Sequence, residues 1–177
     1  MTNEMTKANL TSELKSRSGL GMKVQYFKFE EDFVEDNVRC IPMIVRFKLD
    51  ACGIKLKLTE WCKMSTEQRM VLAELPCEST AEVAAYGEYL RQLVKSVTQQ
   101  NATDLKIDQN PQWAQLSEVP QILIERMRES NLSLSLAQWQ GLDTLQRFAL
   151  LKLCAASHES KNFPKAMREF NLVQSVI

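Results

Sequence analysis

The sequence is poor in the residues from which small catalytic and metal sites are most often built. It has one histidine, five glycines and five cysteines in 177 residues, and no two cysteines form a CxxC pair. Gly19 and Gly21 lack the flanking strand and helix of a phosphate-binding loop, so nucleotide binding has no support. An odd number of scattered cysteines argues against a disulfide framework and a paired-cysteine zinc site, and indicates a reducing compartment.

The chain also lacks an excess of charge of either sign and lacks long apolar runs. It has 22 basic and 22 acidic residues, so its formal net charge is zero. No run approaches the roughly 18 apolar residues of a membrane span. Nucleic acid and membranes are therefore poor partner candidates. Residues 1–22 are polar and contain no apolar core, so we expect a disordered leader and no secretory signal. We expect a single cytoplasmic domain over residues 23–177.

What the sequence does contain is an internal repeat. A shift of 78 positions places residues 42–75 on residues 120–153, and ten of these 34 columns are identical. Such self-similarity indicates two copies of one structural unit. The identical columns are Pro42/Pro120, Ile44/Ile122, Leu56/Leu134, Leu58/Leu136, Trp61/Trp139, Thr66/Thr144, Gln68/Gln146, Arg69/Arg147, Leu72/Leu150 and Leu75/Leu153. We expect the two shared tryptophans to be core anchors of the unit.

The second copy resolves an ambiguity in the first. Residues 45–50 alternate apolar and polar side chains, which alone favours one strand of a β-hairpin. The matching residues 122–130 lack a strand alternation and follow Pro120, which suits the first turn of a helix. Gly53 and Asn131 share a column, and both residue types tolerate the left-handed conformation that ends helices. If the copies share a fold, both segments are helices.

Other signals place the remaining elements. Residues 100–111 have the composition of a linker, and a short last helix is expected after Pro164. Residues 27–33 predict either a short strand or an extended N-terminal arm. Three pairs have the spacing of a capping box: Ser65/Gln68, Asp143/Gln146 and Ser79/Glu82, the last beginning a long helix to about residue 99. The fold class is therefore all-α, a compact helical domain with a tandem repeat whose copies we expect to pack about a pseudo-twofold axis.

No constellation of catalytic or metal-binding residues stands out. Cys154 and His158 are spaced i, i+4, but zinc needs further ligands and a Cys–His nucleophile needs an orienting third group. Glu30, Glu31 and Asp36 are most simply a solvated face, because general acid catalysis requires a desolvated carboxyl group. We therefore expect no catalytic residue, no metal and no cofactor.

The most unusual stretch is residues 39–50, in which charges are threaded through apolar residues. One interpretation is structural, since Arg46 and Asp50 are spaced i, i+4 and can pair on a helix surface. The other is functional: Arg39, Arg46 and Lys48 form a basic group for an acidic partner surface or a small anion.

Residues that the two copies do not share are the better candidates for binding. The shared columns carry helix caps, leucines and a tryptophan, which suits a structural role. Cys40, Arg46 and Asp50 have no counterpart, since they stand opposite Glu118, Ile124 and Arg128. Partner binding is therefore expected in the first copy.

Several motifs in this region resemble one family. They are Phe27-x-Phe29-Glu30-x-Asp32-Phe33, then Arg39-Cys40-Ile41-Pro42-Met43-x-Val45-Arg46-x-Lys48-Leu49-Asp50, then Gly53-Ile54-Lys55-Leu56, Trp61 and Pro76-Cys77. Together they resemble the nitrate reductase-associated protein family, best known in cyanobacteria. The resemblance is strongest over residues 27–77 and continues to the C-terminus.

The resemblance implies a small protein that is encoded near nitrate assimilation or molybdenum cofactor genes. Such a protein is needed for active assimilatory nitrate reductase, which is then the implied partner, and carries no redox centre of its own. The family has no catalytic residues to transfer to this chain. The motif positions are therefore candidates for partner contact only: Arg39, Cys40, Arg46, Lys48, Asp50 and Cys77.

Three functional hypotheses follow. The first is an accessory or maturation factor that binds nitrate reductase and helps it receive or keep its molybdenum cofactor. The second is a sensor, which would bind an anion such as nitrate through Arg39, Arg46 and Lys48, or a soft metal through Cys40, Cys52, Cys62 and Cys77. The third is an enzyme of cofactor processing, which would require a cleft with perturbed acids.

Overall fold

The computed structural model describes residues 26–30, 40–129, 131–155 and 161–173. The predicted leader, Arg39 and His158 lie outside these residues. The described part is mostly helical, which confirms the predicted all-α class. Its α-helices are α1 (Met43–Cys52), α2 (Leu58–Trp61), α3 (Thr66–Glu74), α4 (Thr80–Thr98), α5 (Gln121–Glu129), α6 (Leu136–Gly141), α7 (Thr144–Ala155) and α8 (Asn162–Glu169). The two β-strands are β1 (Ile54–Lys55) and β2 (Thr103–Asp104), and short 3₁₀ helices span Lys28–Glu30 and Gln112–Ala114.

The helices of the two copies begin at equivalent positions, which is compatible with the predicted repeat. The starts of α1 and α5, of α2 and α6, and of α3 and α7 are each separated by 78 residues. After the first helix of each copy, the same column has a positive φ, which is 67° at Gly53 and 54° at Asn131. The segment 45–50 is therefore helical, and the hairpin alternative is wrong.

Local capping chemistry fixes the helix starts as the sequence predicts. The Ser65 hydroxyl accepts a hydrogen bond from the Gln68 amide at 3.2 Å, and the Gln68 side chain accepts one from the Ser65 amide at 2.8 Å. Asp143 and Gln146 make the same reciprocal pair at the start of α7. These bonds satisfy backbone donors that a helix start otherwise leaves without partners.

Each shared tryptophan is buried beneath a shared arginine. The guanidinium carbon of Arg69 lies 5.6 Å from the centre of the Trp61 ring, and that of Arg147 lies 5.9 Å from the Trp139 ring. Arg69 also donates to the carbonyls of Trp61 and Cys62, each at 3.1 Å. Trp61 is 1% exposed and Trp139 is fully buried, which confirms that both are core anchors.

The described residues form two hydrophobic core clusters, and each copy is closed by the helix that follows it. Residues of the first copy pack with α4 through Tyr86, Leu90 and Val94. Residues of the second copy pack with α8, in which Met167 is buried, and with Phe170 directly after it. Helix α1 contacts both α4 and α7, so it joins the two halves of the described structure.

Three elements differ from the predictions. Residues 100–111 are not a plain linker, because β2 lies within them and pairs antiparallel with β1. Helix α8 begins two residues before Pro164, which therefore sits in its first turn. The described start of the expected strand or arm, Lys28–Glu30, is instead a 3₁₀ helix. The Glu169 carboxylate holds this turn by accepting the amides of Lys28 and Phe29 at 2.8 and 3.0 Å.

Candidate functional site

A groove of about 580 Å³ runs along the exposed side of α1, between the first 3₁₀ helix, β1 and α7. We call it the α1 groove. Most of its lining is apolar, and its polar groups come from residues far apart in sequence. The lining includes Glu30, Cys40, Met43, Arg46, Asp50, Leu58, Leu105 and Lys152.

The α1 groove brings together three of the six candidate contact residues. Cys40, Arg46 and Asp50 all line it. Arg46 donates from Nε to the Ile41 carbonyl at 2.9 Å, and Asp50 pairs with Lys152. Both contacts help to shape the groove.

Lys48 and Cys77 lie elsewhere and are buried. The Lys48 ammonium donates to the carbonyls of Ala73 and Leu75 at 2.6 and 2.7 Å, just where α3 ends. Burial lowers the pKa of Lys48, and burial raises the pKa of the Cys77 thiol. Lys48 thus satisfies the last carbonyls of a helix, which is a structural role. The structure does not bring Lys48 to the groove beside Arg46.

Glu30 is a groove residue that the sequence analysis wrongly assigned to a solvated face. It is 8% exposed, and its Oε1 accepts the Met43 amide at 2.8 Å. Burial raises its pKa to about 7, although the bonds from Met43 and Phe27 and the charge of Arg46 act in the opposite direction. One signal pointed to this role: Pro42, the residue before α1, has no side chain that could cap the helix. The amides at the start of α1 therefore depend on acceptors other than Pro42, and Glu30 supplies one of them.

A second groove, of about 640 Å³, adjoins the first on the side of β2. We call it the aromatic groove, because Trp113 and Phe148 lie in its wall. Phe47 packs edge-on against both rings, at centroid distances of 5.1 and 5.3 Å. Such edge-to-face packing holds aromatic rings in fixed orientations. Sequence reasoning missed this groove, since its residues come from four separate segments.

The two grooves meet at the ion pair between Asp50 and Lys152. The Oδ2 and Nζ atoms are 2.7 Å apart, and both residues line both grooves, as does Leu105. Four of the large apolar residues on the surface lie here, with exposed fractions between 37 and 50%: Leu58, Leu105, Ile107 and Ile122. Apolar surface gathered in this way is typical of a binding face.

The described residues offer no ready metal site. Among them, no group of three or more His, Cys, Asp or Glu side chains is close enough to hold an ion. Burial raises the pKa of the Cys154 thiol to about 12, which disfavours the thiolate that binds metals or attacks substrates. None of the described helices combines the length and apolar character that a bilayer crossing requires.

Comparison with known protein families gives a match. The family described as conserved nitrate reductase-associated protein matches residues 26–170, which include every described element from the first 3₁₀ helix to α8. The match confirms the resemblance carried by the sequence motifs. No curated protein and no solved structure matches the chain.

Proposed function

Because the chain belongs to the nitrate reductase-associated protein family, we propose that it is an accessory factor that binds assimilatory nitrate reductase through the α1 groove. The name of the family indicates an association with nitrate reductase. In this proposal the protein is not an enzyme, acts in the cytoplasm, and helps the reductase to receive or keep its molybdenum cofactor.

One observation carries the proposal. Cys40, Arg46 and Asp50 belong to the longest family motif, have no counterpart in the second copy, and meet in one groove. The shared columns are explained by packing and capping, whereas these three side chains lie together at the wall of a groove. Side chains that are specific to one copy and line a groove are the better candidates for partner contact.

The chemistry of the groove suits a protein partner. Its lining is mostly apolar, with the exposed Leu58 at its edge and charged groups from Arg46 and Asp50. Protein interfaces combine an apolar centre with a polar rim in this way. The sensor alternative is less well supported, since Lys48 already binds two carbonyls and lies away from Arg46.

Co-purification tests the association. A tagged chain expressed in a host that assimilates nitrate should retain nitrate reductase, and deletion of its gene should lower reductase activity. Loss of the molybdenum content of the reductase in the deletion strain would support the cofactor role. If the tagged protein never retains the reductase and the deletion strain keeps normal reductase activity, the proposal is wrong.

A further inference from the structure

The segment that follows β2 is an exposed strip on the edge of the small sheet. Residues 105–108 are Leu-Lys-Ile-Asp, and every residue from 103 to 110 is exposed. Leu105 and Ile107 are 37 and 41% exposed, which is high for large apolar side chains. The sheet has two strands, so the outer edge of β2 has no neighbouring strand among the described residues.

The hydrogen bonding of β2 shows which backbone groups are available. The Leu105 amide donates to the Gly53 carbonyl at 2.9 Å, so Leu105 faces β1. Alternate residues of a strand direct their backbone groups to opposite edges, and Asp104, the last residue of β2, therefore faces outward. Such an edge is a template for another strand.

The charges of the strip are complementary to themselves. Lys106 and Asp108 flank Ile107, one on each side. If two copies of the strip run antiparallel with Ile107 opposite Ile107, each Lys106 stands opposite the Asp108 of the other copy. Opposite charges in cross-strand positions stabilise pairing, while like charges oppose it. A twofold arrangement of this kind is the commonest form of homodimer.

We propose that two copies of this chain associate through residues 105–108, as antiparallel strands centred on Ile107. In this register the extended path of β2 continues through residues 105–108, so that Lys106 and Asp108 both face outward and exchange main-chain hydrogen bonds with the other copy. Ile122, 40% exposed across the aromatic groove, adds apolar surface beside the strip. The formal net charge of zero means that two copies do not repel each other as whole molecules.

Charge reversal tests the proposed register. Sedimentation velocity over a range of concentrations should show a monomer–dimer equilibrium for the unmodified chain. The variants Lys106→Asp and Asp108→Lys each place like charges opposite one another, and we expect each to raise the dimer dissociation constant at least ~10-fold. The double variant exchanges the two charges and should return the constant to within ~3-fold of the original. A chain that is monomeric at all concentrations, or a double variant that is not rescued, would overturn the proposal.

Cross-linking gives an independent test of the same register. In Ile107→Cys the two new thiols face each other, so oxidation with diamide should produce a covalent dimer. The matched control is Thr103→Cys, which is also exposed. It lies in β2, four residues before Ile107, and would be roughly 26 Å from its copy at about 3.3 Å per residue. That separation exceeds the reach of a disulfide. The unmodified chain, whose Cys62 is exposed, measures the background. Equal cross-linking at positions 103 and 107 would contradict the register.

The proposed dimer and the proposed contact with nitrate reductase can be tested independently, because different residues carry them. Lys106 and Asp108 line the aromatic groove but not the α1 groove. Charge reversal at these positions therefore reports on self-association, whereas Leu58, which lines only the α1 groove, reports on partner binding.

Discussion

The Asp50 carboxylate and the Lys152 ammonium lie 2.7 Å apart and join α1 of the first copy to α7 of the second. The two side chains are 30 and 38% exposed, so solvent screens their attraction. Lys152 also lies 5.1 Å from the centre of the Phe148 ring, which places its stem against the wall of the aromatic groove. The pair thus sits at the junction of both grooves and of both repeat copies.

For this pair we expect a small coupling energy. Replacement of Asp50 by Asn, of Lys152 by Met, and of both together forms a double-mutant cycle, measured by urea unfolding. The coupling should be about 0.5 kcal/mol, and it should fall further in 0.5 M salt. A coupling of several kcal/mol would show that the pair is far better shielded from solvent than its exposure indicates.

Lys48 should matter more to stability than the exposed lysines do. Lys48→Met removes the donor that serves the carbonyls of Ala73 and Leu75, and buried acceptors left without partners cost ~1–3 kcal/mol. Lys63→Met, at an exposed position, is the control and should change the free energy of unfolding by less than ~0.5 kcal/mol. Equal effects of the two substitutions would contradict the structural role of Lys48.

Gly53 should resist substitution because of both its backbone angle and its surroundings. Its φ is +67°, and an added Cβ would lie 2.8 Å from Ile107 Cγ1 and 3.0 Å from the Leu105 carbonyl oxygen. Gly53→Ala is expected to destabilise the fold by ~1–3 kcal/mol. Gly141 is the matched control, because nothing lies within 4 Å of its added Cβ. Gly141→Ala should be neutral or slightly stabilising, as measured by thermal unfolding.

Glu30 makes the stability of the fold depend on pH. Its pKa is raised from 4.5 to about 7 in the folded state, mainly by burial. The folded state therefore binds the proton more tightly than the unfolded state does. The contribution of Glu30 to the free energy of unfolding is therefore fully present below about pH 4.5. It is lost as the pH rises through 7, and the loss amounts to about 3 kcal/mol at most.

The comparison of native chain and Glu30→Gln isolates this effect. The native chain should lose more stability between pH 5 and pH 8 than the variant, whose amide does not titrate. The variant should also be less stable than the native chain at pH 5, since an amide offers only one oxygen to the amides of Met43 and Phe27. Parallel profiles of stability against pH for the two proteins would contradict this account, because they would show that Glu30 ionises over the same pH range in the folded and the unfolded state.

Much of the helical framework could be predicted because its signals are local. A capping box such as Ser65 with Gln68 acts within four residues, and Gly53 ends α1 through its own backbone conformation. The repeat added what one segment could not show, since the second copy identified residues 45–50 as helical. The pairing of β1 with β2 joins residues about 50 positions apart, and no local pattern marks such a contact.

The candidate site was predicted less completely for the same reason. Cys40, Arg46 and Asp50 lie on or beside one helix, so their motif indicated a shared surface. Glu30 and Lys152 reach that surface from opposite ends of the chain, and their positions depend on tertiary packing. Lys48 has the same charge as Arg46 and lies two residues further along α1, yet it points to the opposite side and is buried. The pseudo-twofold packing of the two copies stays a prediction.

The most direct test of the proposed function compares two leucines that share a column of the repeat. Leu58 and Leu136 begin α2 and α6 and are 50 and 40% exposed, but only Leu58 lines the α1 groove. Binding of each Leu→Asp variant to purified nitrate reductase can be measured by biolayer interferometry. We expect Leu58→Asp to weaken binding at least ~10-fold and Leu136→Asp to leave it within ~2-fold, since a buried charge at an interface costs several kcal/mol. Equal affinity of both variants and the native chain would contradict binding through the α1 groove.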